Sequence, residues 1–251
     1  MKRLLLVGVL ALAAAASNRS MAADLEVKAP PPAPVWSWTE FYFGGDVGLA
    51  WGKSTWCTQA VVATGCGPAA PTDFVTQTFS GYSTGGQFGY RWQASNNFVV
   101  GVEGLFNSLA IGSTTPAPAF PAFTTRTTTF NNLESVTAQV GLAFGRVLVY
   151  GKGGWASTEL NLDAFNTVTG FDISTYKWVQ GWTGGGGVEW LMWTHLSVGL
   201  EYGYYEFNVP NINNLLSTGG AIVPCSFCNF RNTSFQMVSA RVNFKLWPWG
   251  P

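Results

Sequence analysis

Residues 182–205 read WTGGGGVEWLMWTHLSVGLEYGYY, and the pattern leaves little choice of secondary structure. Trp182, Gly184, Gly186, Val188 and Trp190 alternate with Thr183, Gly185, Gly187 and Glu189. After a turn, Leu196, Val198, Leu200, Tyr202 and Tyr204 alternate with Ser197, Gly199, Glu201 and Gly203. Residues two apart on an extended strand share a face. The segment is therefore a hairpin with one greasy face and one small or charged face. Three short echoes repeat the device: Gly101-Val102-Glu103, Gly187-Val188-Glu189 and Gly199-Leu200-Glu201. Each sets a carboxylate on the face opposite its apolar neighbours, with a side-chain-free position beside it.

Composition decides which face meets the surroundings. Charged residues are 10% of the chain, against about 25% in an ordinary soluble domain. Hydrophobic residues are 47%, aromatics 15%, and there are 30 glycines, so too few charges exist to clothe a water-facing exterior. After residue 20 no apolar run reaches the roughly 20 residues of a spanning helix. Low charge without a membrane helix marks a transmembrane β-barrel, whose signal per strand is weak. A soluble ligand-binding barrel with its greasy face inward fails on the same shortage of surface charge. Removing residues 1–22 takes away Lys2, Arg3 and Arg19 and no acid, moving the net charge from 0 to −3. No nucleic-acid partner is implied.

At the start of the chain, Lys2 and Arg3 precede the apolar run Leu4 to Ala16, and Ser20-Met21-Ala22 follows. This pattern predicts a secretory signal peptide over residues 1–22, with cleavage expected after Ala22. Residues 23–37 read as a Pro-rich periplasmic linker, because Pro30, Pro31, Pro32 and Pro34 favour extended polyproline geometry and cannot pair in a sheet. The barrel is expected over 38–247, with a short extension over 248–251.

Alternation recurs eight times, at about 41–51, 80–92, 98–108, 134–144, 147–158, 182–190, 196–205 and 235–246. The connections alternate in length. Short turns fall at Gln93–Asn97, Gly145–Arg146 and Leu191–His195, whereas the other loops run to about 20 to 30 residues rich in Thr, Asn, Pro and Ala, as in Thr114–Thr129. An even strand number with short turns at one end and long loops at the other is the plan of a bacterial outer-membrane barrel. Aromatics gather at strand ends: Trp92, Phe98, Phe144, Trp190 and Trp193 on the short-turn side, and Trp51, Phe106, Trp155, Trp178 and Trp182 on the other. They form two expected interfacial girdles.

Phe41-Tyr42-Phe43-Gly44-Gly45-Asp46-Val47-Gly48, Gly101-Val102-Glu103-Gly104, Tyr150-Gly151-Lys152-Gly153-Gly154-Trp155-Ala156 and the hairpin up to Glu201-Tyr202-Gly203-Tyr204-Tyr205 are collinear motifs. Together they resemble the small outer-membrane β-barrels of alphaproteobacteria, the 25/31-kilodalton outer-membrane protein family, related in architecture to OmpA-like and opacity-type barrels of the porin superfamily. The resemblance runs from about residue 36 to 246. It implies an eight-stranded antiparallel up-and-down barrel of the outer membrane, set in lipid and lipopolysaccharide and inserted by the outer-membrane assembly machinery. It also implies a structural and surface role with an extracellular ligand at the loops, and no enzymatic activity. Two places depart from the family. Thr137 and Gln139 stand where lumen arginines are usual, and the chain runs past Phe244 to Trp247 and Pro251 rather than ending on phenylalanine.

With the apolar face toward lipid, Asp46, Arg91, Glu103, Lys152, Glu189, Glu201 and Arg241 point inward. Eight strands enclose a lumen that side chains can fill, and buried ions must pair. The set is expected to form an ion-pair network that plugs the barrel, with Glu201 and Arg241 the best candidate pair. A narrow pore for ions or small solutes, lined by the same groups, is the alternative. Cys57 with Cys66 and Cys225 with Cys228 lie in the first and last long loops, and an even count in an exported chain favours disulfides. Local pairing comes first, with cross-loop pairing open. The only histidine, His195, falls in a short turn. No catalytic residue, cofactor or metal is expected.

Overall fold

The computed structural model describes residues 36–57, 74–116, 122, 124–170, 172–210, 212–217 and 222–248. The expected signal peptide, the expected linker up to residue 35, and Cys66 lie outside the described residues, as do the side chains of Cys57, Cys225 and Cys228.

The described residues form nine strands: β1 (Glu40–Cys57), β2 (Phe74–Gln93), β3 (Phe98–Pro116), β4 (Thr124–Phe144), β5 (Val147–Asn166), β6 (Asp172–Trp193), β7 (Leu196–Asn208), β8 (Ile212–Ser217) and β9 (Ile222–Pro248). Each of β1 to β7 pairs antiparallel with the next, β7 pairs with β9, and β9 returns to β1, closing an eight-stranded barrel. The short β8 continues the line of β7 within that wall, pairing like it with β9 on one side and, at Ile173 and Ser174, with β6 on the other. Across the lipid-facing belt of the described residues, closure pairs every strand on both sides and leaves no free edge there.

The alternation of the sequence sets the two faces of the wall. Phe43, Val47, Phe88, Val102, Val140, Leu200 and Val242 all point outward and are 40 to 67% exposed. Only hydrocarbon can cover such a belt without a large cost. At the short-turn end it stops at Trp92, Phe98, Phe144, Trp190 and Trp193, and at the other at Trp51, Phe106, Trp155, Trp178 and Trp182, all exposed.

The strands are longer than the sequence reading allowed. β2, β4, β5 and β6 have 20, 21, 20 and 22 residues, against the roughly 9–11 that cross a bilayer. Thr114–Thr129 is not one loop, since β3 runs to Pro116 and β4 begins at Thr124. The intervening chain shrinks to 117–123, and the connection after β5 to 167–171. Beyond the belt the sense of the alternation reverses. On β2, Thr76, Thr78 and Ser80 face out while Gln77 and Phe79 are buried. On β5, Leu160 and Leu162 are buried between the more exposed Glu159, Asn161 and Asp163. This half is built like a water-soluble barrel, with Thr supplying strand propensity without a greasy outer face.

The change of sense predicts where lipid ends. Val47→Arg, in the middle of the belt, is expected to lower the folding stability of the micelle- or bilayer-inserted barrel by about 2–4 kcal/mol. Thr78→Arg, outward but above the belt, is expected to stay within about 0.5 kcal/mol of the parent. Urea unfolding in lipid vesicles measures both, and equal costs would refute this boundary.

Candidate functional site: the barrel interior

The short-turn mouth is closed by the chain just before β1. Trp36 and Ser37, which the sequence reading gave to the linker, belong to this cap. Trp38 is completely buried. Its backbone N–H donates to Gln93 Oε1 at 2.7 Å, and its indole N–H to the Gly145 carbonyl oxygen at 3.2 Å. Lys245 Nζ donates to the Ser37 carbonyl oxygen at 2.8 Å and sits 5.1 Å from the Trp38 ring. Trp36 packs under the Arg146 guanidinium at 4.1 Å. The small apolar cluster of Trp38, Val99, Ala143, Leu148 and Leu191 completes this layer.

Above the cap lies the first group of charges. Arg91, on β2, reaches Glu189 of β6 at 2.8 Å and Glu40 of β1 at 3.5 Å, and Lys245 of β9 meets Glu40 at 2.6 Å. Gln139 Oε1 accepts from Arg91 Nε at 3.2 Å. Glu189 Oε1 accepts from Ser197 Oγ and, at 3.0 Å, from Asn243 Nδ2. Glu40 and Lys245 were missed from sequence as members of the set. Glu40 stands two before Tyr42, and Lys245 two and four after Asn243 and Arg241, so the same strand period places both inward.

The second group is a closed ring. Lys152 Nζ of β5 contacts Glu103 Oε1 at 2.9 Å and Glu201 Oε1 at 2.6 Å. Arg241 of β9 turns one Nη to Glu103 Oε2 and the other to Glu201 Oε2. Charges alternate around the ring, and four different strands are tied across the lumen. Tyr42 Oη donates to Glu103 Oε2 at 2.7 Å and Tyr150 Oη to Glu201 Oε2 at 2.7 Å. The Tyr42 ring also lies 4.2 Å beneath the Arg91 guanidinium, coupling the two groups. Both tyrosines need a bare neighbour. Tyr42 stands opposite Gly89 and Tyr150 opposite Gly187, and a Cβ at either glycine would come within 2.6 or 2.7 Å of the phenolic oxygen. This is the physical sense of the glycine beside the carboxylate in Gly187-Val188-Glu189.

Asp46 is buried but joins neither group; among the described residues it makes no ion pair and accepts from Asn107 Nδ2 at 2.7 Å. Arg241 lies directly opposite Asp46 in the register, yet both of its Nη atoms serve the ring.

Farther toward the long-loop end, the interior turns apolar. Phe79, Leu105, Leu109, Ile111, Phe130, Leu133, Phe207, Phe235 and Met237 are buried together. Phe130 is 4.9 Å from Phe79 and 5.9 Å from Phe235, centroid to centroid, so side chains from β2, β4 and β9 meet across the lumen. Sequence reasoning missed this layer, because it extended a polar interior along the full strand. A polar tier caps it: Gln77 Nε2 donates to Thr115 Oγ1 at 2.6 Å, Thr128 Oγ1 to Gln77 Oε1 at 2.5 Å, and Ser54 and Thr233 share a hydroxyl pair at 2.9 Å. His195 is exposed in the turn between β6 and β7.

A family model described as the outer membrane protein beta-barrel domain matches residues 4–244. The 31 kDa outer-membrane immunogenic proteins of Brucella melitensis biotype 1 and Brucella suis biovar 1 are each 31% identical over 223 residues, spanning 84% of this chain and 90% of the relative. Among solved structures, Neisserial surface protein A aligns with a TM-score of 0.44 at 15% identity, over 82% of this chain and 97% of that one.

Proposed function

The chain belongs to the outer membrane protein beta-barrel family, and on that premise we propose that it is a closed, structural barrel that carries its outer strands and loops to the cell surface for recognition. In this reading the two charge groups and the apolar layer together shut the lumen. The supporting observation is the unbroken burial along the axis: Trp38, Arg91, Glu189, Glu103, Arg241, Phe235 and Phe130 are each at most 2% exposed. Outer-leaflet lipid and lipopolysaccharide surround the belt, the assembly machinery inserts the barrel, and an extracellular ligand or antibody meets the long-loop end. The name borne by the Brucella relatives, an immunogenic outer-membrane protein, agrees with surface exposure.

Conductance is the test. Purified, refolded protein in planar bilayers is expected to give no steady single-channel current. A stable ohmic current that disappears on changing Glu201 or Arg241 would replace this reading with that of a narrow pore.

A further inference from the structure

Between the cap and the apolar layer, Glu40, Asp46, Glu103, Glu189 and Glu201 share the interior with Arg91, Lys152, Arg241 and Lys245, all buried. The first charge group pairs Glu40 and Glu189 with Arg91 and Lys245, and the ring pairs Glu103 and Glu201 with Lys152 and Arg241. Each is neutral as a unit. Asp46 is left over, 5% exposed, with one uncompensated negative charge.

Among the described residues, the hydrogen bonds around it run in directions that leave acceptors unserved. A carboxylate only accepts, so Asn107 must turn its NH₂ to Asp46 Oδ1, which leaves Asn107 Oδ1 without a donor. Likewise Asn243 turns its NH₂ to Glu189, so its Oδ1 faces Gln87 Nε2 at 2.7 Å, and Gln87 Oε1 has no donor. Asp46 Oδ2 has none either. Asn107 and Gln87 are 0% and 3% exposed. The three side chains sit on the neighbouring strands β1, β2 and β3: Gly85 lies opposite both Asp46 and Asn107, and Gln87 is the next inward residue of β2 after Gly85. The neighbourhood thus holds three buried oxygens that only accept and one surplus negative charge; the one donor left over opposite Asp46, Arg241 Nε, belongs to a guanidinium whose charge the ring already balances.

We propose that Asp46, Asn107 and Gln87 form a binding site for one small monovalent cation within the barrel wall. Oxygen-only donors suit a hard cation, and a single positive charge makes this part of the interior neutral. A doubly charged ion would leave an excess beside Arg241. A bound water would serve the oxygens but leave the charge, and a buried carboxylate with no ion pair of its own is costly.

The test is the cation dependence of folding. The barrel is unfolded by urea in detergent micelles at constant ionic strength, with sodium chloride exchanged for N-methylglucamine chloride. Above half-saturation, the folded-to-unfolded ratio of the parent is expected to rise about tenfold per tenfold increase in free sodium. Asp46→Asn removes the charge and is expected to remove the dependence, whereas Asp163→Asn, on the outer face above the belt, keeps it. The proposal is overturned by a parent indifferent to sodium, or by a dependence that survives in Asp46→Asn. Should that variant not fold, sodium-23 line widths on the parent decide: excess broadening over empty micelles, relieved by lithium, supports the site, and equal widths sink it.

Discussion

Arg241→Met is expected to lower the folding stability of the inserted barrel by about 3–5 kcal/mol, among the largest effects of any single interior substitution. Arg241 serves both Glu103 and Glu201. Without it, two buried carboxylates share Lys152 and their two tyrosine hydroxyls, and one negative charge goes unmatched. Arg241→Lys is expected to recover only part of the loss, since an ammonium lacks the planar fork that meets two carboxylates at once. Pairing Arg241→Met with Glu103→Gln restores neutrality, so the double variant is expected to be more stable than the sum of the single changes predicts. A coupling of about 1.5 kcal/mol or more in that cycle identifies a desolvated ring. Urea midpoints in micelles give all four corners. A loss below about 1 kcal/mol for Arg241→Met, the range of solvent-exposed pairs, would mean that water reaches the ring.

The ring is weak evidence for stability even though breaking it is costly. Well-packed apolar residues in place of a buried ionic set are often neutral or stabilising. What the charges add is register. A one-residue slip of a strand turns its inward set to lipid, and with Glu103, Lys152, Glu201 and Arg241 on β3, β5, β7 and β9, a slip of any of those four would carry a charge into hydrocarbon. Charged side chains on the lipid face cost about 2–4 kcal/mol at mid-depth. The charges therefore penalise wrong pairings more than they reward the right one.

The eight barrel strands and their inner and outer faces were legible because the lipid belt imposes a period of two on side chains of opposite character. Phe41 to Trp51 and Val238 to Leu246 show it directly, and burial follows the pattern residue by residue. Which acid meets which base was not legible. Glu103 and Arg241 meet at the ring though 138 positions apart, and only strand stagger and lumen width bring them together. The upper half of the barrel failed for a different reason. There the outer face is polar, so Thr124–Thr129 and Glu159–Asp163 carry no greasy outer stripe and resemble loop by composition. The small Thr-rich alternation on β4, with Thr128 and Phe130 buried between more open Thr127 and Thr129, was the available clue. It is read correctly only once the outside solvent is allowed to change from hydrocarbon to water along a single strand.

That change of solvent also sets the second large effect. Phe130→Ala is expected to cost about 3–5 kcal/mol, the range for truncating a buried aromatic. Phe130 is fully buried and its ring touches those of Phe79 and Phe235, so nothing can move in to fill the space it leaves. Phe106→Ala deletes the same atoms from the outer face, where the ring is 54% exposed. Lipid or detergent chains flow into that gap, so no cavity persists and the cost is expected to fall below about 1.5 kcal/mol. The pair separates packing from hydrophobicity, since both changes remove one phenyl group from an apolar setting. Phe130→Ala is also expected to remain electrically silent in planar bilayers, because the charge ring and the Trp38 cap still lie below the cavity. Equal costs for the two variants would show that the outer half of the lumen is not a packed core, and the closed-barrel reading would lose its upper seal.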